Sequence, residues 1–396
     1  MQLNLFYEDT EAKPKKPILK IILIICIVIL VMGMIAGSIY LYMVNEQFES
    51  LVDKYVFAKE ISSEKLKSIL INDNNNQYIG AYNKYIVTIE KGQLEGYNNI
   101  GKKIFELSIN INNPLIDAKK DFLVVAETKG QKLYYISSNN IAWEKELEGE
   151  ILSIHTNKNG YLSVILRNTS HKSIIITFDN KGKELFRIGF GNTRAVDVSI
   201  SNDNKYLAIA EVNTNGSIVK SNVKIVSIER AMNNEKDVYV YTYSDISESL
   251  IIAINFQDKN RLVCMYDNRI DIVYDNQCEL FSEISSKDSL FVDIKLDNTI
   301  LKTKRVSTGL FAIETEMTLI NTNTKKEYIY KFSGTPKRIY THGNLIAIDL
   351  GSEIHFINGT GWLIKKYSGS KEAKSIVLGE GIGGIIYRDK IELLNL

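Results

Sequence analysis

The chain has 396 residues, with 48 Lys and Arg against 47 Asp and Glu and a formal net charge of +1. That balance leaves no electrostatic footprint for nucleic acid, and no nucleic-acid partner is expected. With 45% hydrophobic residues, 24% charged residues and four prolines, the chain is neither disordered throughout nor collagen-like.

Ile21 to Val44 is an uncharged run, and 24 residues at 1.5 Å each span roughly 36 Å, enough to cross a hydrocarbon core of about 30 Å. Its fourteen Ile, Leu and Val residues favour insertion by roughly 4–8 kcal/mol. Lys13, Lys15, Lys16 and Lys20 precede the run, whereas Asn45 to Asp53 holds no Lys or Arg. The positive-inside rule therefore predicts a single span with residues 1–20 in the cytoplasm and everything after Val44 outside. A cleaved signal peptide is the competing reading, with Ala36-Gly37-Ser38 as its small-residue site. The apolar run is too long for a signal core and continues past that site, so an uncleaved signal anchor in the cell membrane is preferred.

Phe48, Leu51, Val52, Tyr55 and Val56 then recur at helical spacing, which predicts a short amphipathic stalk over 45–65. The pattern is too brief for a coiled coil. From Gln77 helical periodicity vanishes, and the abundant Tyr and Ile favour strands. A turn followed by an apolar strand appears in NKYIVTIE (83–90), KKDFLVVAE (119–127), KNGYLSVIL (158–166) and NDNKYLAIAE (202–211). It returns in DKNRLVCMY (258–266), DNTILKTK (297–304), HGNLIAIDL (342–350) and GIGGIIY (381–387). The repeat averages about 43 residues, the period of a four-stranded propeller blade. A hairpin closes most units, and the residue after its turn (Phe105, Trp143, Phe186, Phe281, Tyr328, Trp362) is predicted to cover the neighbouring blade, which makes both tryptophans packing residues.

The expected fold is thus all-β: a β-propeller of eight blades, with seven as the alternative, of four antiparallel strands each. It occupies 66–396 and follows one transmembrane helix and a short helical stalk. The last unit shows only three strands, and Leu66 to Ile71 is predicted to supply the fourth, closing the ring and removing exposed sheet edges. Cys264 and Cys278 fall on the second and fourth strands of one sheet. Roughly 9–10 Å would separate them, too far for a disulfide.

Phe178-Asp179-Asn180-Lys181-Gly182-Lys183-Glu184-Leu185-Phe186 resembles the hairpin of pyrroloquinoline-quinone-type propeller repeats, with Phe replacing Trp, and the units are also similar to WD40 repeats. The order of basic tail, span, stalk and Ile/Lys/Asn-rich propeller resembles an uncharacterised membrane-anchored β-propeller family (a domain of unknown function) of clostridial-type Gram-positive bacteria. That resemblance implies a surface-exposed domain of unknown function. Only Trp143 and Trp362 remain of the expected tryptophans, and residues around Arg230–Asp237 lengthen the fourth unit.

No sequence motif carries catalysis. The four histidines show no metal-ligand spacing, and no GxSxG, Walker A or dinucleotide fingerprint follows a suitable junction. Asp73 to Asn76 reads as a polar turn in preference to a calcium loop, because the spaced ligands and glycine are missing. No cofactor or metal is expected. Aligning the units on their apolar strands puts Asp117, Ser153, Asp197, Ala253, Asp293, Arg338 and Lys374 near one point of the channel-lining strand. Two readings follow: a channel mouth held by ion pairs and backbone bonds, or a polar site for a small ligand formed by Asp117, Asp197, Asp293, Arg338 and Lys374. The leading expectation is a non-enzymatic binding or scaffold module for a protein or cell-envelope partner; the alternative is an enzyme-like propeller using the channel mouth.

Overall fold

The uncharged run forms a helix, Ile18–Val44. Its segment Ile22–Val44 is long and apolar enough to cross a membrane, with its side chains unburied by protein. The computed structural model describes residues 18–45, 48, 52, 56, 60–63, 66–72, 77–216, 218–244, 249–285, 289–307, 313–369 and 371–396. The chain divides into two compact units, 1–57 and 58–396. Of the stalk, Phe48 and Val52 are helical and the Val56 N–H donates to the Val52 carbonyl (2.8 Å); Leu51 and Tyr55, like the polar turn 73–76, lie outside the described residues.

The second unit is an eight-bladed propeller, each blade a sheet of four antiparallel strands. The innermost strands, in blade order 1 to 8, are Tyr78–Tyr82, Pro114–Lys119, Glu150–Thr156, Arg194–Ile200, Ile251–Phe256, Ser289–Asp293, Arg338–His342 and Ser375–Gly379. Second strands are sandwiched between neighbouring blades, so both faces need hydrocarbon, and they read as continuous apolar runs such as Tyr85–Glu90 and Phe122–Glu127. Outermost strands show one face to water and alternate, as in Asn140–Glu146. The eight turns from first to second strand all need a left-handed residue. Asn83, Lys120, Asn204, Asn260 and Asn298 supply it in five blades, and Gly160, Gly343 and Gly381 in the other three. The lengthening of unit four is a capped helical turn, Ile228–Met232, between its third and fourth strands.

The ring closes with the predicted segment: Lys67–Leu70 pairs antiparallel with Lys390–Asn395, and Ile69 is buried opposite Ile391. A second contact was not anticipated. Glu60–Ser62, assigned to the stalk by its sequence, is a strand that runs parallel to Leu363–Ser368 as a fifth strand of blade 7. It brings Ser63 to a buried polar cluster in which Glu392 accepts from the Tyr367 hydroxyl (2.6 Å), the Lys390 ammonium (2.6 Å) and Ser63 Oγ. Buried carboxylates need such partners. That need explains a strand too short to be seen by periodicity.

The two tryptophans differ. Trp143 stacks on Tyr135 (4.6 Å, 12°) and donates from Nε1 to the Asn180 carbonyl of blade 3 (3.2 Å). It lies on Gly182, where a Cβ would fall 2.8 Å from the ring. Trp362 is 57% exposed and is not the buried covering residue of its blade, a correction to the sequence reading. The covering residue stands four positions after the turn glycine: Phe105 after Gly101, Phe186 after Gly182, and Lys365 after Gly361. Lys365 is buried and donates to the Asn395 carbonyl of blade 8, while Trp362, one residue after its glycine, stays in the turn. Cys264 and Cys278 are free thiols on the second and fourth strands of blade 5. Burial pushes the Cys264 thiol well up.

Candidate functional site

An innermost strand has one edge facing the channel, so its outward N–H and C=O groups lack ladder partners and need another source. The preceding blade supplies it. Asp117 of blade 2 accepts the Thr156 N–H of blade 3. Asp197 of blade 4 accepts the Ile254 N–H of blade 5 (2.8 Å), and Ser199 accepts the Phe256 N–H (2.8 Å). Ser173 Oγ of blade 3 accepts the Ala195 N–H of blade 4 (3.1 Å) and Asn157 donates to the Ser201 carbonyl (3.0 Å), joining blades 3 and 4. There His155 Nε2 also lies 3.3 Å from Asp197 Oδ1. Asn255 donates to the Ile294 carbonyl (2.8 Å), joining 5 and 6. Asp293 accepts from the Thr341 hydroxyl (3.1 Å) and so joins 6 to 7, and Arg338 donates to the Ala373 (3.0 Å) and Lys374 carbonyls of blade 8. Tyr82 donates to the Asp121 carbonyl (3.0 Å) and the Glu380 N–H to the Asn83 carbonyl (2.8 Å), completing the circuit.

The aligned residues therefore share one geometric property: each polar side chain among Asp117, Asp197, Asp293 and Arg338 reaches the next blade. They do not all share one cavity. Asp117, Ser153, Asp197 and Ala253 line a channel cavity of about 380 Å³ spanning blades 2 to 6, whereas Asp293, Arg338 and Lys374 are not in its wall. Register gives the reason. In blades 3 to 6 the innermost strand has a bulge, after Ile151, Ala195, Ile251 and Ser289. The residue after it is Ser153, Asp197, Ala253 or Phe291, so Phe291, and not Asp293, is the counterpart of Asp197.

Two features escaped the sequence reading. Lys158 of blade 3 pairs with Asp297 of blade 6 (3.0 Å) across the channel where the innermost strands end. His342 stands at the same end; burial, together with the charge of Lys119, holds its imidazole below 6.5 despite Asp297 and Asp117 nearby. At the opposite end the bulges turn Leu152, Val196 and Ile252 out of the blades, leaving them 38%, 43% and 51% exposed on three consecutive blades. Bulges of this kind re-aim side chains. Only the register could reveal them. Among the described residues no group of three or more His, Cys, Asp or Glu is placed to hold a metal ion.

A model described as a family of unknown function, DUF5711, matches residues 56–396. No curated protein matches the chain. Among solved structures it is similar to BamB from Moraxella catarrhalis (13% identity, 84% of this chain and 99% of that one, TM-score 0.50). It is similar also to the C-terminal WD40 domain of Sif2 (12%, 83% and 99%, TM-score 0.54). A third is the dihydro-heme d1 dehydrogenase NirN in complex with DHE (11%, 89% and 82%, TM-score 0.50). At these identities the likeness shows the fold, which does not choose between enzyme and binding module.

Proposed function

The chain belongs to the DUF5711 family of unknown function, and from that premise we propose that it is a membrane-anchored binding or scaffold module that displays its propeller outside the cytoplasm to a protein or cell-envelope partner. The observation that carries this reading is the division of labour at the hub. Polar groups of the innermost strands are committed to neighbouring blades, while Leu152, Val196 and Ile252 stand exposed at the mouth where those strands begin. Exposed aliphatic groups rimmed by polar ones mark interaction surfaces. The span Ile21 to Val44 and the lysines before it support the orientation.

The test is photo-crosslinking in intact cells from a photoreactive residue at position 196 or 252, with a control at Lys181 on the far hairpin. A partner captured from 196 and 252 but not from 181 is expected; no adduct from either hub position contradicts the reading. The second reading, a ligand site in the channel, is favoured by the 380 Å³ cavity only for Asp117 and Asp197, which line it; Asp293, Arg338 and Lys374 stand outside its wall. It predicts a small molecule whose capture is lost in Asp117→Asn without loss of stability.

A further inference from the structure

In each blade the second strand places a side chain opposite an aliphatic residue of the innermost strand and against the preceding blade. Blades 2, 3, 4, 5, 7 and 8 use Val125, Val164, Ile209, Cys264, Ile348 and Ile385 there, and blade 1 uses Thr88. All seven are buried. In blade 6 the position opposite Val292 is Lys302. Lys302 is charged where its seven counterparts are uncharged and buried, and such local conflicts concentrate at functional sites.

The surroundings fit a ligand. A cavity of about 480 Å³ opens beside Lys302 between blades 5 and 6, with Leu280 and Ile284 on one wall and Lys302, Lys304 and Thr318 on the other. Lys302 Nζ donates to Ser282 Oγ (2.8 Å) and to the Glu283 carbonyl (2.9 Å). An ammonium has three N–H groups, so one is left for a further acceptor. The other cations of the cavity are matched: Arg269 by Asp271 (2.9 Å) and Lys304 by Glu316 (2.7 Å). Among the described residues no carboxylate pairs with Lys302; the Glu283 side chain lines the cavity without bonding to it. Partial burial, with the charge of Lys304, lowers the Lys302 pKa, and the nearby carboxylates of Glu327 and Glu283 offset this only in part. Leu280 is 57% exposed beside it.

We propose that this cleft binds an oxyanion, carboxylate or phosphate, carried on an aliphatic body, with Lys302 supplying the charge and the third N–H, and Leu280 and Ile284 packing the hydrocarbon. The site is separate from the hub and stands or falls independently of the function proposed above. The two sources of the anion are distinguished by two probes, hexanoate and hexyl phosphate.

The full-length chain in lipid nanodiscs would be titrated with each probe, reading the thermal midpoint against sodium chloride at matched ionic strength. A saturable rise with at least one probe is expected, and which probe acts identifies the anion. Lys302→Met, which restores hydrocarbon to the position and should fold at least as stably, weakens the response at least about tenfold; Lys302→Gln serves as the second variant. Leu280→Ser weakens it about tenfold. A response in Lys302→Met and Lys302→Gln equal to wild type, or no response of the wild type beyond sodium chloride, overturns the proposal.

Discussion

Asp197 in blade 4 and Ile254 in blade 5 are joined across the blade boundary by an N–H···O bond of 2.8 Å, from a backbone donor that its own sheet leaves unpaired. The same carboxylate lies 3.3 Å from His155 Nε2 of blade 3. Asp197→Ala removes the acceptor from a part-buried donor and is expected to cost about 1–3 kcal/mol. Asp197→Asn, which keeps one acceptor oxygen, should cost less. Urea unfolding of the full chain in detergent measures both; a neutral Asp197→Ala would mean that the belt of inter-blade bonds does not support the ring.

The tryptophans give a paired test of packing. Trp143→Ala loses the stack on Tyr135 and the cover over Gly182, and is expected to cost about 2 kcal/mol, below a fully buried Trp because Trp143 is half-exposed. Trp362→Ala is expected to stay within about 0.5 kcal/mol. Thermal unfolding of the two variants decides it, and equal losses would contradict the register described for blade 7.

Ring closure is tested at adjacent residues. Ile69 is buried in the closing sheet at 7% exposure, and Leu70 beside it is 83% exposed. Ile69→Asp buries a carboxylate without a partner and is expected to cost about 3 kcal/mol or more, whereas Leu70→Asp changes little. Limited proteolysis should find the Ile69→Asp propeller cut where wild type resists. Equal resistance in both variants would show that the N-terminal strand does not close the ring.

His342 sets an acid-side dependence. Burial first, then the charge of Lys119, holds its folded pKa below 6.5. As pH falls below 6.5 the unfolded chain takes up a proton that the folded one refuses, so stability declines until the folded pKa is passed. His342→Gln should flatten the thermal midpoint between about pH 7 and pH 5. A slope unchanged in the variant would assign it to other groups.

Much of the fold was legible because a blade repeats its demands. The turn into each second strand needs a left-handed residue, and the strand after it needs hydrocarbon on both faces, so Asn or Gly followed by an apolar run marks every blade from Asn83 to Gly381 except blade 2, where Lys120 takes the turn position. Ile69 announced closure in the same way. What stayed hidden depends on register and not on composition. The bulges that free Val196 and Ile252, and that make Phe291 and not Asp293 the counterpart of Asp197, appear only when strands are paired. The three-residue strand at Glu60 has no period to detect. Trp362 was misplaced by residue type, although its distance of one residue from Gly361, against four for Phe105 and Phe186, was there to be read. Lys302 stood in DNTILKTK as an ordinary strand lysine until its partner across the ladder, Val292, identified the position as a core one.

The proposed display of the propeller outside the cytoplasm requires that the apolar helix Ile22–Val44 span the membrane with the lysines before it inside. The direct measurement uses Lys181→Cys, at an exposed hairpin of blade 3, treated in intact cells with a membrane-impermeant thiol reagent. Cys26 lies within the apolar helix, Cys264 is buried and Cys278 is half-buried, so a Cys-free background reports position 181 alone. Labelling of intact cells equal to that after lysis is the predicted result. Labelling that appears only after lysis would place the propeller inside and contradict the orientation read from Lys13, Lys15, Lys16 and Lys20.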